Sequence, residues 1–374
     1  AIPFTNVLYN EDGYLTELTQ WGTGASSVQF ADKETCTILL EGGKALYLRN
    51  EKTGKVWCPG IEPMHSAVEK FTCEHGDGYT TVSSEFEGIS VRFRTFVPAK
   101  GLREVWTVEI TNHNNIATEL SVVPMVKMEL MGYTGPRFCN SPLQSYVTTF
   151  EEELNGTYFE TRNPNTKGKP YDAVLAASGK VDFYSGCDRA TLAAPQTLYY
   201  PYALLNGKNL DSSVSMSGIP FMALQCIASI EPGETKRMDF VLGTCCNKEE
   251  AKEIVSVLSS ETAVEAEFEK ALAKIDKRRK KVCIKTPDDK INYFVNTWLK
   301  KGMEYCLRKK DATRDNLQFA FGLTMSEPEV TKDTIRLAMS YQYRDGHTVR
   351  SWLPLDETYY SDGPLWIVLV TCDY

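Results

Sequence analysis

The residues best suited to chemistry lie late in the chain, at the starts of helical patterns. Arg314 and Asp315 open the apolar pattern in "ATRDNLQFAFG" (312–322), Asp345, Gly346 and His347 follow a second pattern, and Ser361 and Asp362 precede Pro364 and Trp366 in "SDGPLW". A planar guanidinium fork beside a carboxylate offers paired donors and acceptors, which suits the hydroxyls of a sugar. The indole of Trp366 would give the C–H face of a sugar ring something to stack on. In a ring of paired helices, the helix starts on one rim converge on a single cavity, and that would bring these groups together. A plainer reading stands beside this one: Asp315 and Asp362 as capping and first-turn carboxylates, and Trp366 as core.

Other chemistries find no support. There is no serine nucleophile elbow, phosphate loop, dinucleotide fingerprint or H-E-x-x-H. The 11 cysteines are Cys36, Cys58, Cys73, Cys139, Cys187, Cys226, Cys245, Cys246, Cys283, Cys306 and Cys372; they include no C-x-x-C, and the adjacent Cys245 and Cys246 suit neither a normal disulfide nor a metal site. Most lie in apolar runs such as "ALQCIASI", "YCL" and "VTC", which predicts buried free thiols in a reducing cytoplasm. His65, His75, His113 and His347 are scattered, so zinc is not expected. A formal net charge of −8 and a pI of about 5.3 argue against nucleic acid as a partner. The N-terminal "AIPFTNVLYN" lacks the basic and apolar regions of a signal peptide, and the longest late apolar candidate, Leu365–Val370, is far short of a membrane span. Cytoplasmic location and no membrane contact are the resulting expectations.

The elements that must position the late residues divide the chain in two. In "EGISVRFRTFVP" (87–98), Ile89, Val91 and Phe93 alternate with Arg92 and Arg94, the period of a half-buried strand. "REVWTVEITNHNN" (103–115) repeats this with Trp106, Val108 and Ile110, and "ELSVVPMVKMEL" and "GIPFMALQCIASI" continue it. Closely spaced strands without helical patterns between them predict a large antiparallel sandwich over 1–246. Residues 247–285 hold neither Gly nor Pro, and Ile254, Leu258, Phe268, Leu272 and Ile275 recur at helical offsets, so a helical linker is expected there. Its basic run "KRRKK" reads as helix-end electrostatics and no more. From 286 to 374 the pattern is helical throughout. Thr286 is placed at the N-cap, Pro287 at the first helical position and Asp288 and Asp289 in the first turn, with Ile291, Phe294, Val295, Trp298 and Leu299 as the buried face. Three more helices follow near 315–325, 330–344 and 362–374, with Pro328 and Pro354 between them. The last has no partner for Val368, Leu369 and Val370, which predicts further chain beyond Tyr374.

Several ordered blocks carry a family resemblance. "CEHGDGYTTVSSEFEGISVRFRTFVPAKGLREVWTVEITN" (73–112) resembles the sandwich-domain signature of the cellobiose phosphorylase family. These inverting disaccharide phosphorylases include chitobiose phosphorylase and the phosphorylase part of cyclic β-1,2-glucan synthase. "TRDNLQ", "YQYRDGH", "WLPL" and "SDGPLW" resemble, in the same order, the family's R-D-x-x-Q, Q-x-x-D-G and S-D-D-x-L-W segments and the block between them. The resemblance spans roughly 40–374 and is weak over 130–215. It implies an N-terminal β-sandwich, a helical linker and the first helices of an incomplete (α/α)6 barrel. It also implies phosphorolysis of a β-glycoside with inversion to a sugar 1-phosphate, with an oligosaccharide or disaccharide and inorganic phosphate as substrates, no other cofactor, and a homodimer. Because phosphate arrives as an anionic nucleophile, one general acid suffices, where an inverting hydrolase needs an acid and a base.

Carried over by motif, Arg314 and Asp315 match the pair that binds the sugar at the cleavage point, Asp362 matches the first acid of S-D-D, and Gln318 matches the motif's glutamine. The family's general acid, in an Asp-Trp-Asn-Asp-like stretch, and its phosphate-binding His and Thr are expected beyond Tyr374, so no catalytic residue is assigned here. The Gly-rich stretch before R-D is shortened to "YCLRKKDATRD", which leaves Arg308 as a weak phosphate-binding candidate. Phe319 replaces an acid, "VRSWLPL" lacks the family's histidine, and Gly363 replaces the second Asp of S-D-D. These departures keep open two alternatives: an inverting hydrolase on the same scaffold, or a non-catalytic carbohydrate-binding or assembly subunit.

Overall fold

The computed structural model describes residues 4–29, 35–39, 42–129, 131–132, 146–162, 171–192, 197–216, 220–309, 312–352 and 355–374. It divides into two compact units, one within 1–271 and one over Leu272–Tyr374.

The first unit is built of three sheets, and every ladder among its described residues is antiparallel. The largest has eight strands, with Thr235–Cys245 and Arg103–Asn112 at its centre and Tyr146–Glu151 and Glu69–His75 at its edges. In a five-stranded sheet the central strand Thr118–Lys127 lies between Lys44–Asn50 and Phe221–Ile230, and another five-stranded sheet begins at Thr5–Tyr9.

Alternation along the strands explains the layering. Trp106, Val108 and Ile110 join Leu46, Leu48, Leu120, Val122 and Leu224 in one buried core. Thr107 between them is buried too, whereas Glu109 is about one third exposed. Val105, Val174, Ala176 and Val241 form a second core with Ala251, Ile254, Val257, Leu258 and Val264. Helix α3 (Lys248–Val255), a 3-10 turn (Ser256–Ser259) and the start of α4 (Glu261–Arg279) therefore pack on the large sheet's other face. Asn247 caps α3 by accepting from the Glu250 N–H, as its place before a charged first turn favours. The alternate residues of the sheet that holds Thr118–Lys127, Ala45, Tyr47, Val123 and Met125, meet Leu192, Leu198, Leu204 and Leu210. These come from the stretch carrying the short helices α1 (Asp188–Leu192) and α2 (Tyr202–Leu205). Strands covered on both faces lose strict polar alternation.

Arg94 departs from the expected solvent face. It is buried, pairs with Glu265 of α4 and lies 4.1 Å from the Phe268 ring centroid. The 247–285 segment thus includes a lid on the sheet, and the boundary between the units falls inside α4, after Ala271.

The second unit begins in the last turns of α4. Its basic end does more than balance a helix dipole: Arg279 is buried, donating to Glu304 at 2.5 Å, and Arg278 approaches Glu304 at 3.3 Å. Asp288, not Thr286, is the next N-cap, its Oδ1 accepting from the Lys290 and Ile291 N–H groups, because α5 (Asp289–Tyr293) starts later than the Thr-Pro pair suggests. A π-helical turn (Phe294–Leu299) carries the chain into α6 (Lys300–Lys309). Ile291, Phe294 and Leu299 are exposed and Val295 and Trp298 only half-buried, so the face expected to be buried has little cover among the described residues. Helices α7 (Thr313–Leu323), α8 (Pro328–Ser340) and α9 (Gly363–Asp373) enclose Leu317, Ile335, Ala338, Ile367 and Val370. Val370, expected to lack a partner, is therefore covered, whereas Val368 and Leu369 are exposed.

Residues 286–374 are not helical throughout. A turn around Gly346, whose φ of 94° suits glycine, and the two-stranded sheet Ser351–Trp352 with Leu355–Asp356 interrupt them. Leu353 and Pro354 of "WLPL" lie outside the described residues, as do Cys139 and the side chain of Cys36. Cys58, Cys226 and Cys245 are buried free thiols, burial pushing Cys226 up to about 12. Cys372, expected inside, is exposed, as is Cys283.

Candidate functional site

Helix α7 starts where the chain before it is held by backbone pairing. The Thr313 N–H donates to the Arg350 carbonyl (2.9 Å), its hydroxyl donates to the Val349 carbonyl (2.7 Å), and Ala312 bridges Ser351. Helix α9 starts just after Asp362, whose carbonyl accepts from the Trp366 N–H. The Asp362 side chain makes no capping bond; it accepts instead from Arg314 Nη1 at 3.1 Å. Arg314 Nε lies 3.7 Å from Asp315 Oδ1, so one guanidinium bridges the carboxylates at the starts of two helices. Its pKa is raised, first by the hydrogen bond to Asp362 and then by that carboxylate's charge. The three side chains stay one third to one half exposed and border a pocket of about 130 Å3.

The pocket is also lined by Thr348, Val349, Arg350 and Tyr360. Arg350 donates from Nη1 to Asp356 Oδ2 (2.9 Å) and from its backbone N–H to the Asp356 carbonyl (2.8 Å). Its guanidinium lies 5.8 Å from the Tyr360 ring centroid. Hydrogen bonds from the Thr358 hydroxyl and N–H, then from Arg350, hold the Asp356 carboxyl below its usual range. Sequence reasoning missed these lining residues because they belong to no periodic element.

The other singled-out residues are placed elsewhere. Gln318, exposed one turn along α7 from Arg314, does not line the pocket, and neither does Arg308, half-buried on α6. Trp366 packs against the core of Leu317, Ile335 and Trp352, so the plainer reading holds for it and it offers no stacking face to the pocket. Asp345 and His347 pair at 2.5 Å (Nδ1 to Oδ1), with the imidazole stacked on Tyr343 at 4.1 Å, in a cluster beside the lining residues. The hydrogen bonds from His347, backbone first, lower the Asp345 carboxyl's pKa. Gly363 has a steric reason: a Cβ there would lie 2.2 Å from Thr348 Oγ1.

A three-sheet antiparallel sandwich leading into paired helices, with a guanidinium–carboxylate cluster at the helix starts, defines a class of two-part proteins. The family profile described as "Glycosyl hydrolase 94, supersandwich domain" matches residues 1–261, and the chain belongs to that family. Solabiose phosphorylase from Paenibacillus borealis is 31% identical over 92% of this chain and 45% of its own length. The 3-O-beta-D-glucopyranosyl-beta-D-glucuronide phosphorylase of the same organism is 26% identical over 97% of this chain and 48% of its own. The chain thus spans about half the length of these curated relatives. Among solved structures, a bacterial glucoamylase complexed with acarbose shares the fold with a TM-score of 0.61, at 9% identity, over 99% of this chain and 56% of that one. No described helix is long and apolar enough to cross a membrane.

Proposed function

We propose that this chain is the N-terminal part of a glycoside phosphorylase that cleaves a β-glycosidic bond with inorganic phosphate and inversion, releasing a sugar 1-phosphate. The observation that carries the reading is the Arg314 bridge between Asp315 and Asp362 at the edge of a pocket, in a chain 31% identical to a solabiose phosphorylase. Charge-assisted bonds from this trio would hold the hydroxyls of the sugar whose anomeric carbon reacts. Phosphate attacks that carbon from the face opposite the leaving oxygen while a general acid protonates the oxygen, so the configuration inverts. We place the acid and the phosphate-binding groups in the part of the protein that this chain does not include, and the protein in the cytoplasm as a homodimer.

The test uses the full protein that carries this chain. Incubation with glucose 1-phosphate or N-acetylglucosamine 1-phosphate and a panel of acceptor sugars should release phosphate and form a disaccharide. In reverse, the disaccharide should be consumed only with phosphate, giving the α-configured sugar 1-phosphate by NMR. Phosphate-independent release of free sugar would replace the reading with hydrolysis. Sugar binding without turnover would replace it with a binding role.

A further inference from the structure

A sugar held by Arg314, Asp315 and Asp362 would meet this polar trio on one side only. A pyranose has a polar rim of hydroxyls and flatter faces of C–H bonds, and an aromatic ring is the side chain that best covers such a face. Trp366 does not line the pocket; half-buried, it packs against the helical core. The aromatic residue that does line the pocket is Tyr360, and it is 43% exposed.

Tyr360 is held by its neighbours. The Arg350 guanidinium lies 5.8 Å from its ring centroid, in the range of a cation–π contact. Arg350 in turn is fixed at three points: its side chain on Asp356 (2.9 Å), its N–H on the Asp356 carbonyl (2.8 Å), and its carbonyl under the Thr313 N–H (2.9 Å). The last bond ties it to the residue just before Arg314. The ring and the polar trio therefore share supports, since Tyr360 precedes Asp362 by two residues and Arg350 is bonded to the start of α7.

We propose that Tyr360 is the stacking wall for the sugar held by Arg314, Asp315 and Asp362, with Arg350 as its positioning residue. This rests on the sugar-binding reading of the trio. It adds that ligands must present an unsubstituted C–H face, so an axial hydroxyl on that face selects against binding.

The test compares Tyr360→Ala, Tyr360→Leu and Tyr360→Phe in the full protein, with Asp315→Asn in parallel and circular dichroism to confirm folding. Tyr360→Ala and Tyr360→Leu should each raise KM for the sugar about fivefold to tenfold, the scale of one aromatic stacking interaction, and leave KM for phosphate unchanged, while Tyr360→Phe stays near wild type. Arg350→Gln should raise the same KM about threefold with kcat preserved, as weaker positioning requires. Unchanged sugar KM in folded Tyr360→Ala or Tyr360→Leu overturns the proposal, even if Asp315→Asn is damaging and the polar site stands. A damaged Tyr360→Leu beside an unaffected Asp315→Asn keeps the stacking wall and removes the polar reading. If the protein turns over no glycoside, saturation-transfer NMR with the same sugars decides. A transfer signal seen in wild type and abolished in Tyr360→Leu supports the wall. Equal signals in the two proteins, or no signal in wild type, overturn it.

Discussion

The carboxylate of Asp362 lies 3.1 Å from the guanidinium of Arg314, 48 residues earlier in the chain. The contact joins the starts of α7 and α9, whose inner faces share one small core through Leu317, Ile367 and Val370. Stability does not account for it. An exposed ion pair contributes about 0–1 kcal/mol. A capping carboxylate is worth about 0.5–2 kcal/mol, and Asp362 makes no capping bond. A charged trio kept at a pocket edge instead of capping a helix is what the proposed sugar-binding role requires.

Gly363 and Thr348 form a steric lock. Alanine at a helix position is ordinarily better than glycine by about 1 kcal/mol. Here its Cβ would come within 2.2 Å of Thr348 Oγ1, and Thr348 is buried, so overpacking of about 1–3 kcal/mol should win. Gly363→Ala should lower Tm in wild type and be neutral or stabilising in a Thr348→Ala background, where the next atom, Cβ, is 3.5 Å away. A double-mutant cycle on Tm checks this. Additive effects would mean that Thr348 moves aside freely.

That lock shows what the sequence could and could not disclose. Gly363 reads as a lost acid by motif, yet Thr348, fifteen residues back across a turn and a hairpin, is what excludes a side chain there. Arg314, Asp315 and Asp362 were legible because helix starts have recognisable residue types, and the strands were legible because Trp106, Val108 and Ile110 keep a period of two. Arg350 and Tyr360 were not, since their approach depends on an irregular segment without periodicity. Arg94 misled for a related reason: a charge on an alternating strand reads as solvent-facing unless the helix that covers it is known.

Glu304 neutralises the buried end of α4. Arg279 and Glu304 are both about nine-tenths buried, so Glu304→Ala removes a carboxylate partner from a buried guanidinium. Such losses cost about 3–5 kcal/mol, whereas replacing both partners by apolar residues is often neutral. Glu304→Ala should therefore be much less stable to urea than Arg279→Met combined with Glu304→Leu. Equal stability of the two would show that water reaches Arg279.

The lid over the large sheet should loosen in acid. Burial raises the Glu265 carboxyl, but hydrogen bonds from Arg94 and Arg237 outweigh it, so its folded pKa lies below the ordinary 4.5. A depressed carboxyl binds fewer protons in the fold than in the unfolded chain. Its stabilisation is thus full above 4.5 and is lost as pH falls through the lower folded value. Protection factors of α4 amides, corrected for the intrinsic pH dependence of exchange, should fall below pH 4.5 in wild type. In Glu265→Gln protection should be lower at neutral pH and show less acid dependence. An acid response unchanged by the substitution would assign the loosening to other carboxylates.

Asp315 gives the sharpest test of the site. It lies in the first turn of α7 and 3.7 Å from Arg314 Nε, so two roles compete. As a first-turn carboxylate it would contribute about 0.3–1 kcal/mol through the helix dipole and nothing to turnover. As a sugar ligand it would accept charge-assisted hydrogen bonds worth about 1.5–3 kcal/mol each. Asp315→Asn keeps the shape and removes the charge. The second role then predicts at least about a tenfold loss of kcat/KM in the full protein, or about 1.4 kcal/mol, with Tm nearly unchanged. Because Arg314 retains Asp362, the guanidinium should stay in place, so the loss isolates the Asp315 carboxylate. A slightly lowered Tm with unchanged kcat/KM would reduce Asp315 to a helix-start charge and withdraw it from the site.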